Sequence, residues 1–143
     1  MGVAAYYICV HLIGPEVANH QKLEQGCSDY VQKALPIIIS SWSIDAWRER
    51  SSSELIVSTN VKKLTRQFNV YRKFLGEFKG MEAPTGYVIV DNSGGVDETI
   101  AFYSTRARYQ VGSADITLRL VKRGGGWKLQ KFNVRTDLTD PDF

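Results

Sequence analysis

TIAFYSTRARYQV (99–111), ADITLRLVKR (114–123) and WKLQKFNVRT (127–136) follow one another across very short connections, and their reading decides the fold. Side chains alternate between the two faces of a strand, so Ala101, Tyr103, Ala107, Tyr109 and Val111 fall on one side. Ala114, Ile116, Leu118 and Leu120 continue that apolar side, while Arg106, Arg108 and Arg119 collect on the other. The pattern predicts an antiparallel meander with one dry face and one wet face. In the last segment Trp127 and Leu129 lie in one phase, and Phe132 and Val134 in the other. Such a slip implies a bulge near Gln130-Lys131 that bends the sheet.

The connections agree with this reading. Asn92-Ser93-Gly94-Gly95 is a turn, because asparagine and glycine reach positive φ at low cost, and it links a first strand over 87–91 to the second. Gly112-Ser113 makes the next connection and Gly124-Gly125-Gly126 the last. A triple glycine can cradle phosphate when a strand precedes it and a helix follows, but here a strand follows, so it reads as a hairpin. Four strands result.

Everything before residue 80 reads as helix. Val17, His20, Leu23, Cys27, Tyr30, Val31, Ala34 and Leu35 recur at three- and four-residue steps, predicting an amphipathic helix over 16–35. Pro36 removes a backbone donor and disfavours helical geometry at Leu35, so the helix is expected to kink or end there. A short helix capped by Ser43 then carries Trp47 inward, with Trp42 anchoring the same corner. Ser51 and Glu54 stand in capping-box spacing at the start of a third helix. Val57, Val61, Leu64, Phe68, Tyr71, Leu75 and Phe78 give it one apolar stripe, and Gly76 is placed to end it. That stripe is expected to lie in the concavity of the sheet rather than in a coiled-coil seam. The fold class is therefore α+β, with three N-terminal helices packed in the concave face of a curved four-stranded antiparallel meander.

At 143 residues, with 43% hydrophobic and 23% charged, the chain suits one cored domain and neither disorder nor a fibrous repeat. We assign that domain to residues 16–136, after an apolar segment (1–15) and before an acidic, Pro-containing tail (137–143). The net charge of +3 hides a basic stretch. Arg106, Arg108, Arg119, Lys122, Arg123, Lys128, Lys131 and Arg135 share it with one acid, Asp115, which reads as a solvated sheet face or an anion-binding one. Cys9 and Cys27 make no disulfide framework and show no metal-ligand spacing, so no metal and no cofactor is expected. The apolar run 3–13 is too short for a spanning helix, which takes about 20 residues, and no Lys or Arg precedes it as in a signal peptide. It is either the trimmed end of a membrane anchor or a strand or helical turn that packs on the domain. Tyr6 and Tyr7 suit a membrane interface. Lipid attachment at Cys9 is disfavoured, since Tyr6-Tyr7-Ile8 lacks the small residues that processing prefers.

Three segments carry a resemblance: the helix end at 74–79 (FLGEFK), the strand 101–109 (AFYSTRARY) and the closing hairpin 118–129 (LRLVKRGGGWKL). With three helices, a Pro/Gly break and a curled meander, residues 16–136 resemble the nuclear transport factor 2-like superfamily, also called cystatin-like α+β cones. The likeness extends to small membrane-anchored or exported bacterial members, which implies an anchored or periplasmic setting. It implies a cavity lined by Tyr30, Phe68, Tyr71, Tyr103, Tyr109 and Trp127, with the tryptophan closing the cone, and an interaction face of Arg106, Arg108 and Arg119. Members include isomerases, dehydratases and hydrolases as well as binding and scaffold domains, so fold does not choose among them.

A steroid-isomerase-type site needs an inward carboxylate as base and polar groups to hold an oxyanion. The tyrosines are present, but Asp115 falls in the outward phase, Asp29 precedes the buried Tyr30, and His11 and His20 precede the core. No serine sits in a nucleophile elbow. The residues point to a non-catalytic binding or protein-interaction domain using its cavity or its basic face, for a small apolar molecule or a protein partner. A homodimer through the sheet face is a further expectation. An isomerase or lyase is the alternative, and nucleic-acid binding ranks below both.

Overall fold

A computed structural model describes residues 14–137, with side chains from residue 19 onward. The apolar run 3–13 and the tail beyond 137 lie outside the described residues. Four helices come first: α1 (Gly14–Ile39), α2 (Ile44–Arg50), α3 (Ser53–Ser58) and α4 (Val61–Leu75). Five strands follow: β1 (Phe78–Met81), β2 (Thr85–Asp91), β3 (Glu98–Tyr109), β4 (Ser113–Arg123) and β5 (Gly126–Thr136). All pairings are antiparallel, in the order β1-β3-β4-β5, with β2 also on β3. β1 and β2 thus share one rim of the sheet, since β1 meets Ala107 to Tyr109 and β2 meets Glu98 to Ser104. The fold is α+β, with helices against a curved sheet.

The alternation read from the sequence sets the faces. Ala101, Tyr103, Ala107, Tyr109, Ala114, Ile116, Leu118 and Leu120 are all buried against the helices. Val111 is 59% exposed, because β3 ends at Tyr109, whose amide donates to the Gly112 carbonyl at 3.0 Å across the turn. Gly124 and Gly125 take φ of 57° and 82°, the geometry of a two-residue hairpin. The bulge lies where the phase slip placed it. Arg119 faces Lys131 while Leu120 faces Leu129, so Gln130 is the extra residue. That one insertion keeps both Leu129 and Phe132 on the inner side.

Three elements differ from the sequence reading. Pro36 does not end α1, which continues to Ile39. Leu35, Ile38, Ile39 and Trp42 are buried on one side of this last turn, and their packing outweighs the lost donor. The third helix is two helices. Thr59 takes ψ 134° and closes α3, then the Asn60 side chain accepts from the Lys63 amide at 3.1 Å and opens α4. The turn between them swings Val57 out of the stripe, to 86% exposure. Finally, Gly76 ends α4 at φ 76°, and the chain enters a fifth strand, β1, whose Phe78 ring stands edge-on to Tyr109 at 5.5 Å.

The serine caps also divide their roles. Ser43 opens α2 by accepting from the Ala46 amide at 3.1 Å. Ser51 turns its hydroxyl back to the Trp47 carbonyl and ends α2, while Ser52 opens α3 by accepting from the Leu55 amide. Trp42 sits at φ 52°, a conformation that costs an L-residue about 1–2 kcal/mol. Its ring, buried among Phe68, Tyr71 and Tyr109, more than offsets that cost.

Candidate functional site

The six residues expected around a cavity face the space between helices and sheet, Tyr30 from α1, Phe68 and Tyr71 from α4 and the other three from strands; of the six, Tyr30 lines the cleft described below. Trp42 inserts among three of them, with ring centroids 5.4 Å from Phe68, 4.8 Å from Tyr71 and 5.7 Å from Tyr109. Trp127 is buried in the same core, and Tyr30 is half-buried. An interior cleft of about 10 Å³ lies among Tyr30, Val31, Leu35, Arg50, Leu118 and Leu129, room for roughly one water. No carboxylate lines it.

Two tyrosine hydroxyls are already spoken for. Tyr103 donates to the Glu24 carbonyl at 3.1 Å and Tyr109 to the Ile39 carbonyl at 2.8 Å. The 15 helical residues between those carbonyls rise about 22 Å, close to the roughly 20 Å spanned by the strand from Tyr103 to Tyr109. The two phenols therefore strap α1 along β3. Burial raises the phenol pKa of Tyr30, Tyr71 and Tyr109, and pushes that of Tyr103 up to about 12. All four are neutral donors at physiological pH. Burial likewise pushes the Cys27 thiol up to about 12, which makes it an inert apolar group.

The outer side is wet and charged. Arg106 and Asp115 face each other across β3 and β4, with guanidinium-to-carboxylate contacts of 2.8 and 3.4 Å. The Arg106 hydrogen bonds, with Arg135 on the neighbouring strand, hold the Asp115 carboxyl below the usual carboxylate range. Asp115 thus points outward, as its phase indicated. A groove of about 360 Å³ runs beside this pair, lined by Glu82, Thr85, Ser104, Arg106, Thr117 and Arg135 among others. Arg108 is exposed on the same face. Arg119 lies between Phe102 and Lys131 and sets its guanidinium over the Phe102 ring at 5.5 Å. The sheet brings Arg106, Arg108 and Arg119 onto one surface, with Lys131 and Arg135 beside them, while Lys128 turns its ammonium to the Glu49 carbonyl at 3.0 Å.

The sequence reading missed the apolar end of that surface. Ile89, Ile100 and Val121 stand in one cross-strand row on the outer side, and Ile100 and Val121 are fully buried there. Tyr87 and Phe102 form the next row, with centroids 5.4 Å apart. Their signal was the even-numbered apolar positions of β3, visible only once β2 and β4 are in register. Among the described residues no group of three or more His, Cys, Asp or Glu side chains could hold a metal ion. Nor is any helix among them long and apolar enough to cross a membrane. No family model, curated protein or solved structure matches the chain.

Proposed function

We propose that this chain is a non-catalytic protein-interaction domain that works through the outer face of its sheet. The observation that carries the reading is the contrast between the two sides. Among the described residues the inner side packs rings together, and the cleft they leave at Tyr30 admits about one water, with hydrophobic residues and Arg50 around it. The outer side offers an open groove and five basic side chains, Arg106, Arg108, Arg119, Lys131 and Arg135, on three adjacent strands. A partner surface bearing carboxylates fits this face by charge. Face-to-face self-association would set Arg106, Arg108 and Arg119 against their own copies, which like-charge repulsion opposes. The resemblance to binding and scaffold members of the nuclear transport factor 2-like group agrees with this use, as does an anchored or exported setting. An isomerase or lyase would need an inward carboxylate near Tyr71, Tyr103 and Tyr109; no carboxylate lines the cleft at Tyr30, and Glu24, whose charge reaches Tyr103, stands 3.5 Å from His20.

The test is a charge reversal, Arg106→Glu with Arg119→Glu, compared with the wild-type chain in partner capture from the source cell, with circular dichroism as the fold check. Loss of the captured protein is expected. A folded double variant that captures the same partner equally well would refute the outer-face reading. Retention on immobilised DNA that falls steeply with salt would point to nucleic acid instead.

A further inference from the structure

Tyr87, Phe102, Arg119 and Lys131 stand in one row across β2, β3, β4 and β5, on the outer side of the sheet. The apolar half of the row is a tilted pair, with the Tyr87 and Phe102 rings 5.4 Å apart and Tyr87 44% exposed. The basic half is two cations in direct register, with no carboxylate between them. Phe102 joins the halves, because the Arg119 guanidinium lies over its ring at 5.5 Å. A planar cation held on an aromatic face keeps its edge N–H groups for an acceptor. The Nε of Arg119 is enclosed without a hydrogen-bond partner, and neither Arg119 nor Lys131 gives a hydrogen bond or ion pair to any described residue.

The neighbouring charges are placed differently. Arg106 is held by Asp115 at 2.8 Å, and Arg135 stands in register with that same carboxylate. Arg123 is taken by Glu54 and Glu98, and Lys128 by the Glu49 carbonyl. Arg108 faces Ser113 and Gly80, with no second cation in its row. Hydrogen bonds from Ser93, the amide's at 2.9 Å, hold the Asp91 carboxyl below the usual carboxylate range, with a smaller contribution from the Arg119 charge. Arg119 and Lys131 are thus an adjacent cation pair that the described residues leave unneutralised.

We infer that this row is the anchor of the outer face, and that it takes an extended segment of an acidic protein partner in which a carboxylate and a large apolar side chain share one side. The inference rests on the outer-face reading and names what that face selects. A carboxylate set between Arg119 and Lys131 can accept from both. Exposed ion pairs alone contribute little, so the segment also needs the open Tyr87 ring. Tyr87 and Arg119 are two strand spacings apart, about 10 Å. Side chains at i and i+2 of an extended segment point the same way about 7 Å apart, and the reach of a Glu and a Phe side chain covers the difference. A nucleic-acid strand fits less well, because its continuous phosphates would meet Glu82, Asp91 and Asp115 on the same surface.

NMR titration of the isotope-labelled chain with the synthetic peptides EGFGEGFG, EGSGEGSG and KGFGKGFG is the direct test. At physiological salt the screening length is about 8 Å, while Arg106 stands about 14 Å along β3 from Phe102, so the two rows are read separately. EGFGEGFG should shift the amides of Tyr87, Phe102, Arg119 and Lys131 and bind at least about tenfold tighter than either control. Arg119→Gln should weaken it about tenfold, and more than Arg106→Gln does. Lys131→Gln, at an exposed position, should weaken it similarly, and it reads the same pair if the half-buried Arg119 is needed for folding. Lys63→Gln, exposed on α4, removes one charge elsewhere and should leave the affinity unchanged. No binding of EGFGEGFG up to about 10 mM, equal binding of EGSGEGSG, or shifts confined to other residues overturns the proposal. So does an affinity that neither Gln variant at 119 or 131 lowers. The outer-face reading would survive any of these results, because it stands on partner capture by the charge-reversed chain. A single-stranded oligonucleotide that displaces the peptide from the same residues and binds more tightly would overturn both.

Discussion

Tyr109 shows how much one hydroxyl can hold. Its ring packs on Trp42 and Phe78, and its O–H satisfies the Ile39 carbonyl at the end of α1, where no further helical amide is available. Tyr109→Phe keeps the ring and orphans a buried acceptor, so it should lower unfolding stability by about 1–3 kcal/mol in urea titration. The same phenols set the alkaline limit of the fold. Cys27 and Tyr103 have ordinary pKa values of 9.0 and 10.0 and are both pushed up to about 12 by burial. A raised acid favours the neutral form in the fold, so the stabilisation is complete below pH 9 and is lost as pH climbs toward 12. The urea midpoint should therefore fall between pH 9 and 12. Tyr103→Phe should flatten the upper part of that fall, and a slope unchanged by this variant would assign the loss elsewhere. The inward direction of these residues was legible from alternation alone. What they touch was not, because Trp42 arrives from another element at φ 52°, an unusual conformation that periodicity does not report.

At the scale of elements, what the sequence hid were departures that spacing cannot register. The four-three apolar repeat runs unbroken from Val57 to Phe78, yet Thr59 and Asn60 leave helical geometry between α3 and α4. A residue count carries no dihedral angle, and Asn60 is as good a helix cap as it is a tolerated surface residue. β1 escaped for a related reason. Phe78-Lys79-Gly80-Met81 is too short to alternate and becomes a strand through its pairing with β3. Pro36 is the reverse case, a strong local signal overridden by burial of Leu35, Ile38 and Ile39 around it. The override makes a prediction. Proline in a helix interior is about 3 kcal/mol worse than alanine, while its stiffening of the unfolded chain offsets up to about 1 kcal/mol. Pro36→Ala restores a donor to the Gln32 carbonyl and should stabilise the fold by about 1–2 kcal/mol, seen as a raised Tm. A lower Tm would mean that the ring of Pro36 is itself a needed packing element.

In the whole molecule the helix layer is fastened to the sheet along two lines. The Tyr103 and Tyr109 straps hold α1 to β3. On the far side, the Ser52 amide donates to the Leu129 carbonyl at 2.8 Å, Lys128 reaches the Glu49 carbonyl, and Arg123 binds Glu54. The basic outer face was legible in the alternation of β3 and β4. The apolar rim was not, because exposure of Tyr87, Ile89 and Val90 depends on β2 having no outer neighbour among the described residues, a property of topology. That arrangement predicts a graded pattern of native-state hydrogen exchange. β3 and β4 pair on both sides and lie under the helices, so their amides open only with most of the molecule. Tyr103, Ala107, Ile116 and Leu118 should exchange most slowly. In β2, alternate amides that face away from β3 should exchange orders of magnitude faster than their neighbours in dilute solution, since no strand among the described residues covers them. Uniform slow exchange along β2 at low micromolar concentration would show that its rim is covered within one chain.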